Sequence, residues 1–150
     1  MYIAIGADQG GYELKQHIAE FLIAQGHQVQ DFGTHGPESV DYPDIAAPLA
    51  RAVAAGEFER GILICGTGIG MSVAANKIRG VRAAICTNCY MAHMSRQDNK
   101  ANILCLGGRV LGLGLALDIV QVFLTSEFLG GRHASRVNKI SVLEEVEGKE

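Results

Sequence analysis

The run Cys65-Gly66-Thr67-Gly68-Ile69-Gly70 places a nucleophile-class side chain directly ahead of three alternating glycines. Glycines let the backbone turn tightly and approach a ligand, so free N–H groups can hold an anion where a helix begins. A thiol at that point is a candidate base, because the amino-terminal end of a helix favours its thiolate by about 0.3–1 kcal/mol. A base beside a nest of N–H donors suits a reaction in which a carbon-bound proton leaves while an oxyanion, such as an enediolate, develops next to it. Neither nucleotide fingerprint fits. A dinucleotide loop counted from Gly66 would need glycine at Met71, and the chain contains no G-K-[ST]. The plainer alternative is that the glycines make only a tight turn.

Arg132 and Arg136 are four residues apart, hence on one face of a helix, and Gly130-Gly131 before them permits close approach. Guanidinium forks match phosphate geometry, although two arginines near a helix start can also be simply solvated. A phosphate held near a carbonyl-adjacent proton transfer points to sugar-phosphate isomerisation, which spacing alone does not establish. Cys86-Thr87-Asn88-Cys89 has redox or zinc spacing but lacks a second Cys/His pair, so its expected role is packing. His17, His27, His35, His93 and His133 form no ligand pattern and read as surface residues. No metal site is predicted.

These residues must be positioned by an alternation of short apolar runs and amphipathic segments. Tyr2–Gly6 reads as a strand; Leu14, Ile18 and Leu22 mark one face of a helix that Gly26 ends. Val29–Phe32 is a weaker strand. A helix carrying Leu49 and Val53 follows, expected to start near Ala47 or to kink at Pro48, where a proline deeper in the helix would clash. Gly61–Cys65 is a continuous apolar run of the kind found in a doubly covered parallel strand, followed by a helix through Asn76. Val81–Cys86 and Ile103–Leu106 are the remaining strands, each followed by a helix, about Tyr90–Gln97 and Leu111–Thr125. A last helix covers about Ala134–Glu147. The prediction is a Rossmann-like three-layer α/β/α sandwich on a parallel sheet of about five strands, with ligands bound at the carboxyl edge.

The 150 residues fit one domain, and 48% hydrophobic against 19% charged residues is enough to bury a core. A net charge of −3 with dispersed basic residues argues against nucleic acid or an anionic membrane as the main partner. The most apolar window, Val110–Leu124, is too short and too polar to span a bilayer and reads as core or dimer contact. No secretory signal opens the chain, so a cytoplasmic protein with its four cysteines as thiols is expected.

The strings GILICGTGIGMSVAANK, ESVDYPD, GVRAAIC, ANIL ahead of GGR, and EFLGGRHASRV occur in family order and together resemble the type B ribose-5-phosphate isomerases, relatives of the galactose-6-phosphate isomerase subunits. The resemblance spans about Tyr2–Leu143. It implies a dimer, or a dimer of dimers, with each active site shared between two subunits and no metal or organic cofactor. Carried over by position, it makes Cys65 the base working between C1 and C2 and Gly66, Gly68, Ile69 and Gly70 the enediolate loop, with Thr67 a hydroxyl partner for the thiol or the substrate. Asp8 becomes a sugar-hydroxyl contact and Tyr42 lines the pocket. Asn99, Arg109, Arg132 and Arg136 become substrate and phosphate contacts.

Two positions depart from the family pattern. Its Asp-His after the first strand is here Asp8-Gln9, which replaces an ionisable group by an amide that still donates hydrogen bonds. Its S-R-x-H-N, whose histidine is credited with furanose ring opening, is here Ser95-Arg96-Gln97-Asp98-Asn99, so Asp98 takes the acid/base position. An ordinary carboxyl is a poor proton donor at neutral pH. The expected activity is interconversion of ribose 5-phosphate and ribulose 5-phosphate. A 6-phosphohexose such as allose or galactose 6-phosphate, or a non-catalytic sugar-phosphate binding module, is the alternative.

Overall fold

The computed structural model describes residues 1–148. Five strands, β1 (Tyr2–Ala7), β2 (Gln28–Asp31), β3 (Arg60–Cys65), β4 (Ala83–Ile85) and β5 (Ile103–Gly107), form one parallel sheet in the order β2-β1-β3-β5-β4. The helices are α1 (Tyr12–Ala24), α2 (Tyr42–Ala54), α3 (Ile69–Ala75), α4 (Cys89–Gln97), α5 (Leu113–Thr125) and α6 (Arg132–Val146).

Side chains of a strand alternate between faces, so the central strands feed two cores. Ile3, Ile5, Ile62, Ile64, Leu104 and Leu106 pack with α1, α4 and α5 on one side. Ala4, Leu63, Cys65, Ile103 and Cys105 pack with α2 and α3 on the other. The predicted sandwich is thus present, and the Leu14, Ile18, Leu22 stripe is its buried face of α1. The apolar α5 buries Ala116, Ile119, Val120, Phe123 and Leu124, as core rather than as a ligand box. No described helix is long and apolar enough to cross a membrane.

Several boundaries differ from the sequence reading. α2 starts at Tyr42 rather than near Ala47, so of the two expected arrangements it is the one with Pro48 inside the helix. Pro43 sits in the first turn, where its missing N–H costs nothing, while the cost of Pro48 is offset by the burial of Ala46, Leu49, Ala50 and Val53 against β1 and β3. β4 shortens to three residues at the sheet's edge. α6 begins two residues early, at Arg132, so both arginines of the predicted pair lie within the helix.

The loop after β2 is tied down by a buried cation. Lys15 on α1 has no solvent exposure, and its Nζ donates to both Asp31 carboxylate oxygens, at 2.8 and 2.7 Å, and to the Thr34 carbonyl. Asp31 also accepts from the Gly33 N–H at 2.8 Å. This loop leads to α2 and hence to Tyr42. Lys15→Met leaves the carboxylate and carbonyl without their partner and is expected to cost about 3 kcal/mol, against less than about 0.5 kcal/mol for Glu13→Ala on the same helix. Urea denaturation of the two variants measures the difference.

Candidate active site

In this strand order the chain leaves β1 in one direction to β2 and in the other to β3, so the crevice for a ligand lies beyond the carboxyl ends of β1 and β3. Three loops meet there. Asp8 follows β1, Cys65 ends β3, and Gly108-Arg109 follow Gly107 at the end of β5. The Gly108 N–H donates to the Cys65 carbonyl at 2.8 Å and the Arg109 N–H to the Gly66 carbonyl at 3.0 Å. The contact is backbone to backbone: a Cβ on Gly108 would stand 2.5 Å from the Gly10 carbonyl oxygen. Only glycine fits.

Cys65 is buried, and its Sγ accepts the Gly68 N–H at 3.1 Å. Gly68 has φ 83°, the left-handed conformation that turns its N–H back onto the sulfur before α3 begins. Thr67 Oγ1 accepts the Ile69 N–H at 3.1 Å, which closes the turn and leaves its hydroxyl proton free to donate. Asp8 is buried at 7% exposure, and its Oδ1 accepts the Gly10 N–H at 2.9 Å. Gln9 is exposed, and its Oε1 accepts the Val40 N–H at 3.0 Å; its amide nitrogen remains a donor. Arg109 Nη1 lies 3.2 Å from where a Cβ on Gly66 would be, and the Tyr42 ring covers Gly70. The carboxyl edge therefore gathers Asp8, Gln9, Tyr42, Cys65, Gly66, Thr67, Gly68, Ile69, Gly70 and Arg109.

The other four candidates lie elsewhere. α4 runs from the carboxyl edge back to the amino edge, so Asp98, its carboxyl cap, and Asn99 stand at the opposite end of the sheet from Cys65. The Leu129 N–H donates to the Gln97 carbonyl and brings the start of α6 to the same end. Arg132 and Arg136 are exposed there. Cys65 pairs with Gly107 and Gly61 with Ile103, so the height of the sheet alone separates the two ends by about 13 Å. One chain does not bring the thiol and the paired arginines together.

His133, read from sequence as a surface residue, is buried at 9% exposure, with Nε2 3.5 Å from Asp98 Oδ1. Its spacing of four from the equally buried Val137 is the signal that could have shown it facing inward. Among the described residues no group of three or more His, Cys, Asp or Glu is placed to hold a metal ion, and Cys86 and Cys89 follow β4 as separate free thiols.

The ribose/galactose isomerase family matches residues 3–140. The chain belongs to that family. Ribose-5-phosphate isomerase B of Escherichia coli is 48% identical over 95% of this chain and 96% of its own length. D-erythrulose-4-phosphate isomerase of Pectobacterium atrosepticum is 45% identical over 97% and 96%. The structure of Clostridium thermocellum ribose-5-phosphate isomerase B superposes with a TM-score of 0.97 at 62% identity, covering 98% of this chain and 99% of that one. The family fold is this Rossmann-like sandwich, and the chain is an isomerase enzyme.

Burial sorts the thiols of this family member. It pushes Cys86 up to about 11 and Cys105 further still, so both stay protonated at neutral pH. In the native protein at pH 8, iodoacetamide should modify Cys89 and leave Cys86 and Cys105 intact by peptide mass mapping. A thiol whose folded pKa lies above its unfolded value of 9.0 loses its proton first in the unfolded chain. Its contribution to stability is therefore complete below pH 9 and lost as pH rises to 11. Cys86→Ala should flatten the fall in unfolding free energy measured across that interval.

Proposed function

We propose that the protein interconverts ribose 5-phosphate and ribulose 5-phosphate through an enediolate, with the Cys65 thiolate moving the proton between C1 and C2. The observation that carries this reading is the Cys65 Sγ held by the Gly68 N–H, at the end of β3 and between the Asp8 and Arg109 loops. The base removes the proton from C2 of the open aldose, and charge develops on O1. Backbone N–H groups of Gly66–Gly70, with the Thr67 hydroxyl, then meet that charge in a site already built for it. The same base returns the proton to C1 while the O2 proton passes to O1 by way of the Thr67 hydroxyl, so that O1 ends as a hydroxyl and O2 as the ketone. Asp8 orders the sugar hydroxyls, Gln9 and Arg109 contribute donors, and Tyr42 closes the side of the pocket. The ribose-5-phosphate isomerase names of two close relatives support the choice of substrate.

The phosphate clamp and Asn99 come, on this reading, from a second copy of the chain in a homodimer or a dimer of dimers. A two-fold pair contacts reciprocally, so the amino edge of each copy can complete the carboxyl edge of the other. The surface agrees with this. Ile69 and Val73 on α3 and Tyr90 on α4, beside the unpaired edge of β4, are 58%, 57% and 72% exposed. α6, anchored by Glu144 accepting the Gly80 N–H, leaves Ile140, Leu143 and Val146 uncovered and belongs to the same interface. A doubly charged sugar phosphate does not cross membranes, which suits a cytoplasmic enzyme.

Cys65→Ala should lower kcat by about 10³ while the Kd for ribose 5-phosphate, from calorimetry, changes less than about threefold, because the base acts only in the transition state. An active variant would remove Cys65 from the mechanism. The shared site has a numerical test. Cys65→Ala and the double variant Arg132→Ala/Arg136→Ala should each be inactive. Unfolded together and refolded at equal concentration, they should recover about one quarter of wild-type activity, since half of the dimers are mixed and each carries one intact site of two. No recovery would mean that each site belongs to a single chain.

A further inference from the structure

We infer that His133, held by Asp98, moves the proton that opens the furanose ring of the substrate. The inference rests on the reading of the chain as an isomerase of ribose 5-phosphate. An aldopentose 5-phosphate is almost entirely a five-membered ring in water, whereas proton transfer between C1 and C2 requires the open aldehyde. Cys65 and the glycine loop are built for the carbon-bound proton, so a second group must serve the oxygen atoms. At the amino edge, the end that carries the phosphate clamp, the structure supplies a carboxylate and an imidazole as a couple.

Asp98 is fixed from three sides. Its N–H donates to the Met94 carbonyl at 2.9 Å, and its Oδ1 accepts from Gln97 Nε2 at 3.2 Å and faces His133 Nε2 at 3.5 Å. Nε2 of His133 faces the carboxylate at 3.5 Å, which leaves Nδ1, on the other side of the ring, for the substrate. The His133 N–H donates to the Gly130 carbonyl at 3.0 Å, which sets the ring at the first turn of α6, between Arg132 and Arg136 in sequence. Asp98 thus acts as a positioning residue that orients the ring, and the imidazole is the group that meets the sugar.

The step balances without a co-reactant. The anomeric O1–H gives its proton to Nδ1, the C1–O1 bond becomes a carbonyl as the C1–O4 bond breaks, and O4 takes the proton back from the imidazolium. A tetrose 4-phosphate provides the control. Its phosphate occupies the hydroxyl that would close a five-membered ring, so it reaches the thiolate already open.

The test compares kcat/KM for ribose 5-phosphate with that for dilute erythrose 4-phosphate. His133→Asn should lower the first about 100-fold, the range of a lost acid/base group, and the second less than threefold. Asp98→Asn, nearly isosteric at a half-buried position, should lower only the first, about tenfold, and keeps the inference testable if His133→Asn fails to fold. Asp98→His should raise the first less than threefold, because the imidazole already present does the work. Equal losses on both substrates, or a gain above tenfold in Asp98→His, would overturn the inference and leave the isomerase reading standing. Cys65→Ala should lose both substrates; activity retained there, or wild type inactive on both, would instead overturn the reading on which the inference rests.

Discussion

A parallel sheet has two unlike ends, and in this protein that polarity governs the placement of chemistry. Every strand delivers its carboxyl end to the same edge, so the loops after β1, β3 and β5 are forced together and share backbone hydrogen bonds. Every helix that follows carries the chain back, so the residues closing α4 and opening α6 collect at the other edge. The sheet is flanked by its own helices and cannot shorten. Within one chain that height stands between Cys65 and the arginine pair.

The carboxyl edge is precise because it is made of backbone. A loop pressed against two others with no room for a Cβ has little freedom, and the sulfur of Cys65 inherits that rigidity through the Gly68 N–H. Preorganised donors of this kind need no rearrangement as charge develops, which is where most electrostatic catalysis comes from. The amino edge is made of side chains instead. Arg132 and Arg136 are exposed there, on the first turns of α6. The buried Lys15 belongs to the same economy, since it fixes the segment leading to Tyr42 from outside the pocket.

Much of this was legible in the sequence. The order of strands and helices follows from short continuous apolar runs and period-four apolar stripes broken by glycine, and those patterns depend only on local geometry. Cys65 and its loop stood out for the same reason: a nucleophile, three glycines and a helix start are neighbours in the chain. The arginine pair was visible through its spacing of four. Asp8, Gln9, Tyr42, Asn99 and Arg109 carry no such local signature, and resemblance to the family rather than spacing pointed to them.

What only the tertiary structure decided is which of these residues face one another. Asp98 and His133 are 35 positions apart in the numbering, and their pairing depends on α4 and α6 converging at one edge, which no local pattern encodes. The same holds for α2, whose start at Tyr42 and internal Pro48 contradict propensity because burial against the sheet outweighs one lost hydrogen bond. The separation of Cys65 from Arg132 is of this kind as well. Sequence determines elements through short-range sterics, whereas distances between elements are set by the sheet's strand order and packing.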